Sequence, residues 1–248
     1  MSQLQSQVVL VTGANRGIGR AIVAGAIQRG AQKVYAAVRS LASATALTSE
    51  FGTRVVPLHL DLEDPKSILE AAKSAPDVTI VINNAGILQT AGPLADNAVA
   101  SLEFQINVNV SGLLRVAQAF APILKANGGG SLVQLNSVAS IKSFAQAATY
   151  SASKAASYSI TQALRDELAG QNTQVISVHP GPIATDMANQ AGMADIAEPP
   201  SLVADALFEA IQKNTFHVFP DTLARQFGQA YSGYAQAFIE PLQQAVAH

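Results

Sequence analysis

The stretch VVLVTGANRGIG, residues 8–19, decides the fold of this chain. An apolar strand pattern runs into three glycines with the spacing G-x-x-x-G-x-G, and a helical pattern follows. Gly13 permits a tight turn, Gly17 lets the backbone approach a pyrophosphate, and Gly19 lets the helix pack close to the sheet. The helix N-terminus adds free N–H groups and a positive dipole end. The stretch therefore predicts a dinucleotide-binding turn.

Short apolar runs and longer helical patterns alternate along the rest of the chain. Strands are predicted at 8–11, 34–38, 55–60, 78–82, 132–135, 175–178 and 216–219. Helices are predicted at 17–29, 41–50, 65–73, 98–125, 150–169 and 201–213. Most of the strand runs lack polar alternation, which is typical of strands buried on both faces.

This order of elements predicts the α/β class, as a Rossmann-type, doubly wound, seven-stranded parallel sheet with helices on both faces. A single domain then spans residues 1–248. Its cofactor half covers about 1–130, and its catalytic and substrate half covers about 131–248.

The composition limits the classes of function. The net charge is −2, so neither nucleic acid nor an anionic membrane is attracted strongly. Cysteine is absent, which excludes disulfides and thiolate chemistry. The start resembles no signal peptide and no apolar run approaches ~18 residues, so a cytoplasmic location without a membrane span is expected. Charged residues are 13% of the chain, against about 25% in typical domains, which favours a homo-oligomer.

Two stretches late in the chain each allow two interpretations. C-terminal rings either pack on the core or form a subunit interface: Phe219, Phe227, Tyr231, Tyr234 and Phe238. Residues 180–200, with four prolines and two glycines, form either a mobile lid or an ordinary surface loop.

The histidines lack metal-ligand spacing, so no metal site is expected: His59, His179, His217 and His248. His59 and His179 lie at strand ends and are interpreted as structural.

Two arginines favour NADP(H) over NAD. An NAD-preferring site usually has an acid at the end of the second strand, and Val38 stands there, followed by Arg39. Arg16 lies within the glycine turn. Two guanidinium groups suit a ribose 2′-phosphate because they bind its oxygens in a forked, charge-assisted way. The alternative is that either arginine is a solvated surface charge.

Tyr150 and Lys154 form a candidate acid–base pair. Positions i and i+4 share one helical face, so the two side chains can point the same way. A lysine charge about 4 Å away, at an effective dielectric near 20, contributes ~4 kcal/mol, which would bring the pKa of the tyrosine from ~10 to near 7. General acid–base catalysis works best there.

Polar residues follow three further strands at their carboxyl ends. Asn83-Asn84-Ala85-Gly86 follows the fourth strand, Asn136-Ser137 ends the fifth, and Pro180-Gly181 follows the sixth. Ligands bind at this edge of open α/β sheets. The positions predict a site shared by the glycine turn, these loops and the Tyr150 helix.

With TGANRGIG, NNAG, NS, YSASK and HPGPIAT in this order, the chain resembles the short-chain dehydrogenase/reductase family from about residue 8 to 185. The resemblance implies an NADP(H)-preferring, carbonyl reductase-like enzyme and a homotetramer, with a dimer as the alternative. Ser137, Tyr150 and Lys154 match the catalytic residues, and Asn109, three residues before a glycine, matches the fourth. The family often has a serine where Asn136 stands, a difference expected to be harmless.

The resemblance also implies roles. Tyr150 protonates the carbonyl oxygen, Ser137 orients it, Lys154 lowers the tyrosine pKa and binds the nicotinamide ribose, and Asn109 holds a relay water. The implied cofactor contacts are Gly13, Asn15, Arg16, Gly17, Ile18, Gly19, Arg39, Asp61, Leu62, Asn83, Ala85, Gly86, Tyr150, Lys154, Pro180, Gly181, Ile183 and Thr185. Asp61 would accept from the adenine amine, or alternatively serve as a carboxylate at the next helix N-terminus.

The expected activity is ketone or aldehyde reduction, or oxidation of the matching alcohol, on a fairly apolar small-molecule substrate. Position alone suggests the substrate lining Ala139, Ile141, Phe144, Ala147, Met187 and Met193. A 3-oxoacyl-thioester reductase is the alternative, but its acidic carrier protein would require a basic cluster, and only Arg115 and Arg165 are scattered nearby. A non-catalytic NADP(H)-sensing protein is a third possibility, although such proteins typically lose the tyrosine or the lysine.

Overall fold

A computed structural model describes residues 4–239 of the chain, apart from the side chain of Phe238. Seven parallel strands form one sheet in the order β3-β2-β1-β4-β5-β6-β7. The strands are β1 Val8–Thr12, β2 Lys33–Val38, β3 Val55–His59, β4 Ile80–Asn83, β5 Gly130–Leu135, β6 Thr173–Val178 and β7 His217–Val218. The α-helices are α1 Gly17–Gln28, α2 Thr45–Phe51, α3 Pro65–Ser74, α4 Ala98–Ile106, α5 Gly112–Ala126, α6 Ala148–Ala169, α7 Asp186–Gln190, α8 Pro200–Lys213 and α9 Thr222–Phe238.

The sheet is buried on both faces. Val9 and Val11 of β1 belong to one apolar cluster, which also contains Phe208 of α8. Leu10, between them, belongs to a second cluster with Phe120 of α5. Successive side chains of a strand point to opposite faces, so both faces need apolar residues and the strands lack polar alternation. The predicted doubly wound α/β fold is confirmed.

The strand order reverses beside β1, which pairs with β2 on one side and β4 on the other. At such a switch point the loops leave the sheet in opposite directions and open a crevice at the carboxyl edge. The glycine turn after β1 and the Asn83–Gly86 segment therefore lie next to each other. Asn84 joins them, because its Nδ2 donates to the carbonyl oxygen of Thr12 at 2.8 Å.

Several elements differ from the sequence predictions. The helix predicted at 98–125 is interrupted by a π-helical turn at Asn107–Ser111. The helix predicted at 41–50 begins as a 3₁₀ turn at Leu41–Ala44. The segment 180–200 contains the short helix α7, and α9 was not predicted. Asp221 caps α9 by accepting from the Ala224 N–H at 2.9 Å, which is the signal that the prediction missed.

Two of the C-terminal rings pack on the core, as the first of the two interpretations predicted. The Phe219 ring stacks on His179 at 5.2 Å, and Tyr231 lies 6.5 Å from the Tyr158 ring, so both pack inward. Tyr234 is 57% exposed. The Phe238 side chain and His248 lie outside the described part, and a subunit interface stays a prediction. Between residues 4 and 239, no helix has the length and apolar character needed to cross a membrane.

Candidate active site

Ser137, Tyr150 and Lys154 come together at the carboxyl edge of β5. Ser137 leaves the strand in an extended conformation, and its Oγ accepts from the Ala139 N–H at 3.1 Å. Tyr150 and Lys154 lie in the first two turns of α6 and are 9% and 5% exposed. The Ser137 hydroxyl is close enough to the Tyr150 phenol to lower its pKa, and the same hydroxyl donates to the Pro180 carbonyl oxygen at 3.4 Å. The structure therefore gathers the three side chains that the sequence predicted as catalytic.

The predicted charge effect of Lys154 on Tyr150 is not found. Burial raises the pKa of Tyr150 to about 12, which outweighs a lowering by the Ser137 hydrogen bond. Burial also lowers the pKa of Lys154 to about 8. The ammonium lies 5.9 Å from the centre of the tyrosine ring and donates to the Leu135 carbonyl oxygen at 2.7 Å. The prediction of a tyrosine pKa near 7 was wrong because it left out desolvation, which disfavours both charged forms.

Asn109 lies within the π turn and is buried. Its Oδ1 accepts from the Ile87 N–H at 2.9 Å, and its Nδ2 donates to Ile87 O and Ser153 Oγ, each at 3.0 Å. The side chain thus clamps the loop after β4 onto α6. A Cβ at Gly86 would lie 3.1 Å from Asn109 Oδ1 and 3.6 Å from Lys154 Nζ. Asn109, Gly86 and Lys154 are therefore neighbours, and a relay water at Asn109 stays a proposal.

The glycine turn is compact. Gly13 has a φ of +63°, which favours glycine, and a Cβ at Gly19 would lie 2.1 Å from the Gly13 carbonyl oxygen. The same Cβ would lie 2.7 Å from Asn84 Nδ2, directly after β4, so Gly19 is required both within the turn and for the close approach of α1 to the sheet edge. No described side chain caps the first turn of α1. The free N–H groups of this first turn, which contains Ile18, form a positive end suited to phosphate. Asn15 lies just before the turn.

Asn83 does not present its side chain to a ligand. It is 2% exposed, its Oδ1 accepts from Thr12 Oγ1 at 3.1 Å, and its Nδ2 donates to Gln134 Oε1 at 2.7 Å. Thr12 Oγ1 in turn accepts from the Asn84 and Ala85 N–H groups at 3.0 and 2.9 Å. The Asn83 side chain therefore ties three strands together, and the contact of the Asn83 segment with the adenosine ribose stays a prediction.

Arg16 and Arg39 are both exposed at this edge. Arg16 Nη1 pairs with Asp186 Oδ2 at 2.7 Å, and the two side chains are 66% and 65% exposed. Asp186 opens α7, so the pair connects the glycine turn to the segment after β6. A Cβ at Gly17 would lie 2.9 Å from Thr185 Cγ2, which marks a second close contact between the same segments. Arg39 has no ion pair with another residue of the described part.

Asp61 and Leu62 follow β3. The alternative that Asp61 caps the next helix is wrong, because Asp64 Oδ1 accepts from the Lys66 N–H at 2.9 Å in that position. Asp61 Oδ1 instead accepts from the Glu63 N–H at 3.1 Å. The Leu62 side chain is buried in the core.

Arg115 lies beside the site, although the sequence predicted no role for it there. Its Nη1 donates to the Leu62 carbonyl oxygen at 2.7 Å, and its Nη2 donates to Asn107 Oδ1 at 3.0 Å. It thereby joins the loop after β3 to the π turn that carries Asn109.

Asp221, a residue that the sequence did not predict as part of the site, fixes the segment after β6 by a hydrogen bond. Its Oδ2 accepts from the Gly181 N–H at 2.7 Å. Pro180 O accepts from the Val138 N–H at 3.0 Å, so this segment is also tied to the Ser137 loop. Thr185 Oγ1 donates to Ile183 O at 3.1 Å and caps α7, while the Ile183 side chain is buried.

The predicted substrate lining contains one fully buried side chain, Ala139, at 5% exposure. The half-buried members are Ile141, Phe144, Ala147, Met187 and Met193. Lys142 was not predicted, and its ammonium lies 4.9 Å from the centre of the Phe144 ring. Within residues 4–239, no group of three or more His, Asp or Glu side chains is arranged to hold a metal ion.

Comparison with known proteins shows a match to the family described as short chain dehydrogenase over residues 7–195. An NADP-dependent 3-hydroxy acid dehydrogenase of Schizosaccharomyces pombe is 28% identical over 242 residues, covering 90% of this chain and 93% of that protein. An NADPH-dependent aldehyde reductase-like protein of Arabidopsis thaliana, chloroplastic, is 34% identical over 202 residues, covering 74% of this chain and 75% of that protein.

A solved structure has the same architecture over nearly the whole length. It is a short chain dehydrogenase from Burkholderia cenocepacia J2315 in complex with NADP, 33% identical, with a TM-score of 0.86. The match covers 98% of this chain and 99% of that one.

Proposed function

The chain belongs to the short-chain dehydrogenase family, and we propose that it is an NADP(H)-dependent oxidoreductase that interconverts a ketone or aldehyde and the matching alcohol. The observation that carries the proposal is the meeting of the Ser137, Tyr150 and Lys154 side chains beside the glycine turn. A hydroxyl pair and a buried ammonium at the carboxyl edge of a doubly wound sheet suit proton transfer next to a bound dinucleotide.

The residues present fit a dinucleotide phosphate. The uncapped first turn of α1 would hold the pyrophosphate through its N–H groups. Arg16 and Arg39 would hold the 2′-phosphate, Asp61 the adenine amine, and Lys154 the nicotinamide ribose. The Pro180–Thr185 segment would line the nicotinamide through main-chain groups, since the Ile183 side chain is buried and the Thr185 hydroxyl caps α7. When bound, the nicotinamide supplies the hydride.

Tyr150 would act as the general acid. Burial raises its pKa to about 12, so the phenol keeps its proton at neutral pH and can donate it to the carbonyl oxygen of a substrate. The Ser137 hydroxyl, next to the Tyr150 phenol, would orient that oxygen. In the reverse direction, alcohol oxidation, the phenolate form of Tyr150 would act as the base.

The named relatives support the same kind of substrate. A 3-hydroxy acid and an aldehyde are each one half of a carbonyl–alcohol pair, and the names of both relatives include NADP or NADPH. A 3-oxoacyl thioester would fit the same chemistry, but no described feature favours it. The cytoplasmic location and the homo-oligomer stay predictions.

The test follows NADPH and NADH oxidation by absorbance with aldehydes, aryl ketones and 3-oxo esters, using the wild type and Tyr150→Phe. We expect turnover with NADPH and a kcat lower by about 10²- to 10⁴-fold in the variant, with NADPH still bound. Tyr35→Phe is the matched control, because Tyr35 lies in β2 and bonds to Asp77. Full activity of Tyr150→Phe would refute the assigned role, and binding without turnover by the wild type would favour a sensing protein.

A further inference from the structure

The imidazole of His179 lies directly behind Ser137, and the proposed chemistry does not use it. His179 follows β6 and is 0% exposed. Its Nδ1 lies 3.2 Å from the Ser137 carbonyl oxygen and 2.8 Å from Ser140 Oγ. Its Nε2 lies 2.7 Å from Ser177 Oγ. Both ring nitrogens are thus within hydrogen-bond distance of a partner.

These partners fix the tautomer of the ring. A carbonyl oxygen only accepts, so the contact with Ser137 requires a proton on Nδ1. The Ser140 hydroxyl donates to the same carbonyl oxygen, which leaves its own oxygen available to Nδ1. Nε2 then accepts from Ser177, whose oxygen accepts from Asn136 Nδ2 at 2.8 Å. Burial also lowers the pKa of His179 to about 3, which agrees with a neutral ring.

Two aromatic rings hold the imidazole in place. Tyr158 contacts it edge-on, with centroids 4.7 Å apart, and Phe219 stacks on it at 5.2 Å. Tyr158 lies on α6, about two turns beyond Tyr150. His179 therefore contacts both the loop that carries Ser137 and the helix that carries Tyr150. The packing leaves the ring little freedom, so its hydrogen bonds can define a position.

We propose that His179 is a positioning residue that holds the main-chain carbonyl of Ser137, so that the serine hydroxyl keeps its place beside the Tyr150 phenol. The proposal rests on the proposed function, in which Ser137 orients the oxygen that Tyr150 protonates. Three donors converge on the Ser137 carbonyl oxygen: the Ser140 N–H, the Ser140 hydroxyl and His179 Nδ1. Of these donors, the two from Ser140 belong to the same loop as Ser137, whereas the His179 imidazole follows the neighbouring strand β6.

The first test compares His179→Leu, which has no ring donor, with His179→Asn, whose amide can replace the Nδ1 donor. We expect His179→Leu to lower kcat about tenfold or more while the Kd for NADPH changes by less than about twofold. His179→Asn should recover most of that loss. His59→Leu, at an exposed histidine of β3, is the matched control and should leave kcat unchanged.

A double-mutant cycle with Ser137→Ala separates positioning from a general structural role. If His179 acts through Ser137, His179→Leu should lower the residual kcat of Ser137→Ala by less than about twofold, because the side chain being positioned is already gone. If His179→Leu lowered kcat by the same factor in the wild type and in Ser137→Ala, the proposal would be overturned. An unchanged kcat in His179→Leu would also overturn it. If His179→Leu does not fold, Ser140→Ala replaces it in the cycle with the same expected outcomes.

A measurement that needs no turnover keeps this proposal distinct from the proposed function. Nitrogen-15 NMR of labelled imidazoles, assigned by the signal missing from His179→Asn, reports which ring nitrogen carries the proton. We expect the neutral Nδ1–H form near pH 7. An Nε2–H form or a protonated ring would overturn the proposal even in an active enzyme. Absence of turnover alone would refute the proposed function and leave this result standing.

Discussion

Arg16 and Arg39 would both bind the 2′-phosphate in the proposed function, but only Arg16 already has an ion pair within the described residues. Arg16 is paired with Asp186 at 2.7 Å, whereas Arg39 has no ion pair within the described residues. An NADPH phosphate must therefore share or displace Asp186 to reach Arg16. We expect Arg39→Met to weaken NADPH binding more than Arg16→Met does, and Asp186→Asn to strengthen it.

The structure sets the size of these effects. A hydrogen bond to a charged group contributes about 1.5 to 3 kcal/mol, so losing Arg39 should raise the Kd for NADPH roughly ten- to a hundredfold. The Arg16–Asp186 side chains are 66% and 65% exposed, and such pairs contribute about 0.2 to 1 kcal/mol. The effect of Arg16→Met should be smaller by that amount, and Asp186→Asn should lower the Kd up to about fivefold.

The assay is a titration of NADPH and NADH followed by nicotinamide fluorescence, at low and at high salt. The chain has no tryptophan, so protein emission interferes little. We expect the Kd for NADH to change little in all three variants, and the NADPH effects to shrink as salt screens the charges. Asp205→Asn is the matched control, because Asp205 pairs with Arg29 at the far end of α1.

Two results would refute this reasoning. Equal losses for NADPH and NADH in the arginine variants would mean that these groups bind the pyrophosphate, not the 2′-phosphate. Weaker NADPH binding by Asp186→Asn would mean that Asp186 holds Arg16 in a productive position and does not compete with the ligand.

Two other predictions concern the pH profile and stability. Because burial raises the pKa of Tyr150 to about 12 and lowers that of Lys154 to about 8, kcat for reduction should be flat near neutrality and fall as the ammonium is lost above pH 8, while alcohol oxidation rises with pH. Steady-state rates between about pH 6 and 10 check this, and reduction that accelerates toward pH 10 would contradict it. Asp221→Ala should lower the free energy of unfolding by about 2 to 4 kcal/mol, because it removes a helix cap and leaves the half-buried Gly181 N–H unpaired. Urea unfolding measures this against Asp205→Ala, and a loss below about 1 kcal/mol would show that the Gly181 contact is dispensable.

The sequence predicted the parts of the fold that depend on local patterns. Apolar runs without polar alternation located the strands, and the glycine spacing located the first turn, because burial and backbone freedom act over a few residues. It did not predict α9, whose interior contains Gly228 and Gly233, and glycine disfavours a helix. The helix is instead fixed by its Asp221 cap and by contacts such as Tyr231 with Tyr158.

The candidate site was predictable in its residues but not in its electrostatics. The i, i+4 spacing brought Tyr150 and Lys154 to one face, as expected. Their pKa values depend on burial by distant segments, which no local pattern reports. The Arg16–Asp186 pair joins positions 170 apart in sequence. The Asn83 side chain points into the sheet because Thr12 and Gln134, on the neighbouring strands, hydrogen-bond to it.

The π turn at Asn107–Ser111 makes the count of residues in this helix as important as their identity. Each residue of an α-helix advances the chain by 1.5 Å and rotates it by about 100°. Deleting one residue from the turn would restore a regular α-helix and swing all of α4 around its axis relative to α5. Gln105, whose Nε2 donates to Thr149 Oγ1 at 2.9 Å, would lose that contact beside Tyr150. Insertions and deletions between Gln105 and Gly112 should therefore be rarer among active relatives than substitutions there.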